Sequence, residues 1–107
     1  MYHAHIYYNT ENKEQAQQIH QQILHEELPI DRLGFMHDEP MGPHPQGMFQ
    51  IQFIDCYLMN IMEWLERNRI NHSVLIHPMS DDLVADHRDE AIWLGEALEL
   101  DFSQLKK

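Results

Sequence analysis

The chain lacks the residues and patterns that mark several common chemistries. Among its 107 residues it has one cysteine, Cys56, so an intramolecular disulfide and a CxxC or cysteine-rich zinc pattern are both excluded. That usage fits a reducing cytoplasm, and Cys56 reads as a small residue packed at a helix start rather than a dipole-activated thiol. No run approaches the roughly 18 apolar residues of a membrane span, and Met1–Tyr8 carries neither a basic nor a long apolar signal region. The expectation is a soluble, unprocessed, cytoplasmic protein. Basic residues are scarce as well: seven Lys+Arg against eighteen Asp+Glu give a net charge of −11. Such a field repels nucleic-acid phosphate and anionic lipid, so neither is expected as a partner. No Walker loop, GxGxxG, GxSxG or HExxH occurs, which sets aside nucleotide hydrolysis, the dinucleotide fingerprint and the commonest hydrolase patterns.

What the chain does have is nine histidines, and their placement is informative. His3 and His5 alternate in Tyr2–Tyr8, an aromatic and β-branched stretch closed by Asn9-Thr10, so a first strand puts both imidazoles on one face. His44 sits in Glu39–Gly47, where three prolines and two glycines in nine residues exclude regular structure. His77 precedes Pro78 at the end of a short apolar run, and His87 follows Asp86. Imidazole is the commonest protein ligand for zinc, iron, copper and nickel and titrates near neutrality, so convergence of these residues points to metal or acid/base chemistry. His20, His25 and His72 read as structural or surface residues. His37, beside Asp38, is held in reserve.

The rest of the pattern supplies a scaffold. Ala16, Ile19, Ile23 and Leu24 recur at helical spacing between Thr10 and Leu28, with Asn12 and Gln15 as a capping box and Pro29 as the stop. Leu33–Asp38 is a weak strand. Met48–Ile54 is a strand with Phe49, Ile51 and Phe53 on one side and Gln50 and Gln52 on the other. Leu58, Ile61, Met62 and Leu65 form the stripe of a helix over 55–68, supported by a Glu63–Arg67 pair. Ser73–Ile76 is a fourth strand, and the seven methionines read mostly as core filler. The order β-α-β-β-α-β is the ferredoxin-like split βαβ pattern of the α+β class, an antiparallel sheet with two helices on one face. That topology puts the first strand between the third and fourth. Ala4, Ile6, Phe49, Ile51, Phe53, Val74 and Ile76 then face the helices, and His3, His5, Tyr7, Gln50, Gln52 and the His77 end of the fourth strand share an open opposite face. The length predicts one domain, residues 1–107, and so small a chain leads us to expect a homodimer.

Five pieces in order, His3-Ala4-His5-Ile6-Tyr7-Tyr8, Gly42-Pro43-His44-Pro45, Met48-Phe49-Gln50-Ile51, Leu75-Ile76-His77-Pro78, and Asp86-His87 with Trp93-Leu94-Gly95, resemble the fungal-type DOPA 4,5-dioxygenase family and its bacterial relatives. Ala4 stands where the family pattern has proline, which leaves His3 and His5 in place. The resemblance implies a ferredoxin-like dimer that cleaves a catechol such as L-DOPA in extradiol fashion, using O2 and non-haem Fe(II), with zinc or another divalent ion able to occupy the site in purified protein. Carried over residue by residue, it implies His5, His44 and His77 as metal ligands, with His3 and His87 beside them. Either of these two then serves as the acid/base group, and Arg88 and Trp93 are the candidates against the substrate, Trp93 reading also as a packing anchor. The usual non-haem iron set contains a carboxylate, for which Asp38 and Asp86 are the candidates. A carboxylate-bearing substrate wants a cation, and Arg32, Arg67, Arg69 and Arg88 all qualify by sequence. The acidic net charge predicts raised histidine pKa values and activity shifted to higher pH. The rival reading is a non-catalytic dimeric module that binds a metal or small ligand on its histidine face.

Overall fold

In the computed structural model, which describes residues 1–105, the first strand sorts its side chains by alternation. The strands are β1 (Tyr2–Tyr8), β2 (Arg32–Leu33), β3 (Gly47–Phe53), β4 (Val74–Pro78) and β5 (Ile92–Leu94). They form one antiparallel sheet in the order β2-β3-β1-β4-β5. The first strand therefore lies between the third and the fourth, as the ferredoxin-like pattern requires, and β5 extends the sheet beyond it. Helices α1 (Lys13–His25) and α2 (Leu58–Asn68) cover one face. Ala4, Ile6, Phe49, Ile51, Phe53, Val74 and Ile76 meet Ile19, Ile23, Ile61 and Leu65 there. Each large aliphatic side chain fully buried in this layer contributes roughly 1.5–3 kcal/mol.

Several local expectations give way to identifiable physics. No capping box forms: the Asn12 side chain accepts from the backbone N–H of Asn9, and Asn9 in turn accepts from Glu11 and Asn12, so the helix starts at Lys13. Leu24 lies off the Ala16-Ile19-Ile23 stripe and is 62% exposed. The weak strand pairs only at Arg32–Leu33 and rejoins the sheet as a single His37–Met48 bridge. Cys56 is exposed in a single 3-10 turn (Asp55–Tyr57) ahead of α2. Met1, Met41, Met59 and Met79 are exposed too, so methionine is mostly not core filler here.

The opposite face is less open than alternation implies. Tyr7, Met48 and Leu75 form a second, smaller core with Leu100, packed by Ala91, Trp93, Leu98 and Phe102 from the C-terminal segment. The backbone N–H of Asp101 donates to the Pro43 carbonyl at 2.9 Å, tying that segment to the loop that carries His44. The same face thus has an apolar end sealed by the chain's own tail and a histidine end walled by loops. Among the described residues, no helix is long and apolar enough to cross a membrane.

Candidate metal centre

Four separate elements deliver the imidazoles. In the β1–β4 ladder His3 is the direct partner of His77 and His5 is the partner of Leu75, which leaves His5 diagonal to His77. His44 is presented by a tight turn in which its N–H donates to the Met41 carbonyl and Gly42 adopts φ +53°, a conformation that favours glycine. Helix α3 (Leu83–His87) brings in His87, and is started by Asp82, whose side chain accepts from the Ala85 N–H. Asp86 is buried and turns away from its neighbour. Its two oxygens accept from the Ser80 N–H and hydroxyl at 2.8 and 2.7 Å, which folds the 79–86 segment and seats the helix.

His5, His44, His77 and His87 are 3%, 7%, 2% and 8% exposed, so they compose a buried cluster. Ring centroids lie 4.2 Å apart for His5–His44, 3.9 Å for His77–His87 and 5.1 Å for His5–His77. Two trios offer nitrogen atoms within 4.8 Å of one another: His5–His44–His87, wholly buried, and His3–His5–His77 at the edge. His44 and His77 do not share a trio. No carboxylate among the described residues joins either one. Asp38 is exposed and bound by Lys13 and the Tyr8 hydroxyl, both at 2.7 Å, and Asp86 is committed to Ser80.

Hydrogen bonds fix which nitrogen of each ring is free. His77 Nδ1–H donates to the Pro78 carbonyl at 2.8 Å, so its Nε2 carries a lone pair. His5 Nε2 lies 3.0 Å from that atom and must supply the proton, which leaves His5 Nδ1 buried with no partner. His44 Nδ1 pairs with the Tyr7 hydroxyl at 2.7 Å, and with Nδ1–H donating to that oxygen its Nε2 carries the lone pair; His87 Nδ1–H donates to the Leu83 carbonyl at 2.8 Å. Each imidazole of the buried trio therefore has one nitrogen tied and the other available, the arrangement that orients metal-binding histidines. An orphaned buried nitrogen amid neutral imidazoles is costly without a ligand, so the donor set fits a divalent metal.

Electrostatics runs opposite to the expectation from net charge. Burial, followed by repulsion from His44, His77, His3 and His87, holds His5 well below the usual imidazole range. Burial and the neighbouring His87 and His77 bring His44 down to about 4, and burial likewise brings His77 down to about 4. His3 is lowered by burial, against the hydrogen bond it donates to Gln52 Oε1. Local desolvation outweighs a diffuse, solvent-screened surface charge.

Tyr7 is the contributor that sequence reasoning missed. Alternation placed it on the histidine face, but nothing in the sequence pairs its hydroxyl with His44. Trp93 stacks on Tyr7 with ring centroids 5.9 Å apart, and Arg88 is exposed and held by both oxygens of Asp89. Beside the cluster, on the same sheet face, lies a cavity of about 580 Å³ lined in part by Arg32, Phe35, His37, Met41 and Gln50. A concavity of similar volume on the outer side of α1 is lined by Gln21, Gln22, Leu24 and His25 and meets none of the cluster residues.

Residues 2–104 match the Dopa 4,5-dioxygenase family. The chain is 36% identical to an uncharacterized 21.2 kDa protein of Botryotinia fuckeliana and 26% identical to a DOPA 4,5-dioxygenase of Amanita muscaria, in both cases over 97% of its own length. It spans 62% and 49% of those two proteins. A crystal structure of a provisionally named dioxygenase from Nostoc punctiforme superposes with a TM-score of 0.89 at 34% identity, covering 96% of this chain and 88% of the other.

Proposed function

Because the chain belongs to the Dopa 4,5-dioxygenase family, we propose that its histidine cluster is the centre of an extradiol dioxygenase that takes Fe(II) and opens the ring of a catechol such as L-DOPA with O2. The observation that carries this reading is the buried trio of imidazoles with one nitrogen tied and one free. His5, His44 and His87 would hold the metal, each through the ring nitrogen that its other hydrogen bond leaves free. His77 then orients His5 rather than ligating, and His87 takes the ligand position that the family resemblance implies for His77. When bound, Fe(II) supplies the electron-transfer path between catecholate and O2 that their spin states otherwise forbid.

The chain's own groups do the rest. His3, half-buried at the edge of the cluster, donates Nε2–H to Gln52 Oε1 at 3.0 Å, so its Nδ1 is a fixed acceptor. That nitrogen takes the proton of a catechol hydroxyl and returns it to the ring-opened product. Tyr7 holds the His44 ring in place, and Trp93 braces Tyr7. Burial of the trio excludes water from the reacting groups. The chain works in this reading as one catalytic domain in a cytoplasmic homodimer.

The test is anaerobic reconstitution with Fe(II), then exposure to oxygen with L-DOPA and simple catechols. Coupled oxygen uptake and a yellow ring-opened product are expected. Stoichiometric iron without turnover on any catechol would replace the reading with the non-catalytic binding module.

A further inference from the structure

We propose that Arg32 and the cavity it lines receive the carboxylate of the substrate, which makes Arg32 the residue that selects acid-bearing catechols over neutral ones; this inference rests on the dioxygenase reading above. The argument begins with sheet register. Arg32 is the direct partner of Gln52, Gln52 of His3, and His3 of His77, which makes one row across β2, β3, β1 and β4. Directly paired residues in antiparallel strands project from the same face. Arg32 therefore stands on the histidine face, two strand spacings, or about 10 Å, from His3. The cavity of about 580 Å³ runs along β2 and β3 on this side, lined by Arg32, Met48 and Gln50, and Gln50 is the direct partner of His5.

The distribution of ion pairs singles out the same residue. Five basic side chains fall within the described residues, and four are engaged: Lys13 by Asp38, Arg67 by Glu63, Arg69 by Glu66 and Arg88 by Asp89. Arg32 has no carboxylate partner among the described residues. In a chain of net charge −11, an anionic ligand is repelled by most of the surface, and a guanidinium that lines a cavity one strand spacing from His5 gives it a place to bind. Sequence left four arginines open for this role. Arg67 projects from α2 into an ion pair, Arg69 spends its donors on Glu66 and the Ile70 and His72 carbonyls, and Arg88 is taken by both oxygens of Asp89. With the catechol ring at the His3 end, an arm of two or three carbons directs a carboxylate towards Arg32, which acts as a specificity-determining residue.

The experiment compares dihydrocaffeate, a catechol with a propanoate arm, and 4-methylcatechol, which lacks the charge. Binding is read anaerobically by tryptophan fluorescence, and turnover by oxygen uptake on the Fe(II)-loaded protein. Wild type is expected to favour dihydrocaffeate by about tenfold or more in Kd and kcat/KM. Arg32→Met should erase that preference through Kd and KM, with a loss for dihydrocaffeate that exceeds the loss for 4-methylcatechol by about tenfold or more. Arg32→Lys should recover part of it, and Arg67→Met should match wild type. Equal affinity of wild type for both catechols, or an equal loss for both in Arg32→Met, would overturn the subsite. Cleavage of 4-methylcatechol with no Arg32 dependence for the acid sinks the subsite and keeps the dioxygenase. Arg32-dependent binding of the acid with neither catechol cleaved does the reverse.

Discussion

The Nε2 atoms of His5 and His77 lie 3.0 Å apart, and the Pro78 carbonyl that holds His77 Nδ1 settles the proton between them on His5. This contact leaves His5 Nδ1 buried and without a partner among the described residues, and makes His77 the residue that orients it. His77→Gln is therefore expected to weaken metal binding without abolishing it, whereas His44→Ala and His87→Ala should abolish stoichiometric binding. Equilibrium dialysis of the three variants checks the order; a His77 variant that loses all metal while His87→Ala keeps it would transfer the site to the edge trio.

Tyr7→Phe removes the hydrogen bond to His44 Nδ1 while keeping the stacked ring. Metal affinity should fall by roughly 10–100-fold, as for other partners that orient a ligating imidazole, and stability by about 1 kcal/mol. Competition with a calibrated chelator reads the first and urea denaturation the second. Unchanged affinity would remove Tyr7 from the site.

Stability of the metal-free protein should depend on pH with a definite sign. His44 and His77 titrate in the fold at about 4, against 6.5 for an ordinary imidazole, because burial disfavours their charged forms. Between those values the unfolded chain binds protons that the native chain does not. Stability is then full above about pH 6.5 and falls as pH drops towards 4, by about 1.4 kcal/mol per pH unit for each such histidine. Urea midpoints at pH 7.5 and 5.0 measure this. A flat profile, or greater stability at pH 5.0, contradicts the burial argument.

Asp86 tests whether α3 is a seat for His87. Asp86→Ala leaves the Ser80 N–H and hydroxyl without their shared acceptor, at a cost of about 2–4 kcal/mol. Metal affinity should fall with it, since His87 shares the same short helix. A variant as stable as wild type would mean that Ser80 finds water instead.

Gly47 opens β3 where a Cβ would lie 2.7 and 2.8 Å from the carbonyl oxygens of His37 and Asp38. Both neighbours are backbone and cannot swing away, so Gly47→Ala should cost about 1–3 kcal/mol. Chemical denaturation reads the loss, and an unchanged midpoint would show that the 37–38 segment yields freely.

Sequence made much of this scaffold legible because β1 and β3 obey a two-residue period and α2 a helical one, and each period names its buried face. The convergence of His3, His5, His44, His77 and His87 was legible for the same reason: alternation, a proline-rich turn and strand ends confine where those rings can go. What stayed hidden depends on contacts between segments distant in sequence. The Tyr7 hydroxyl meets His44 across 37 positions, and Asp86 chooses Ser80 over His87. The tail that seals the apolar end of the histidine face carries no periodic signal, being a 3-10 turn and irregular chain held by Leu98, Leu100 and Phe102. The sign of the imidazole shifts was hidden too, because net charge is visible in a sequence and desolvation is not.

The measurement that tests the central claim most directly is the coordination of iron in the protein. Crystals reconstituted anaerobically with Fe(II) and recorded on both sides of the iron absorption edge give an anomalous map. The account predicts one iron per chain, bound by His5, His44 and His87. Iron absent from the cluster at saturating Fe(II), or bound elsewhere on the chain, would contradict it.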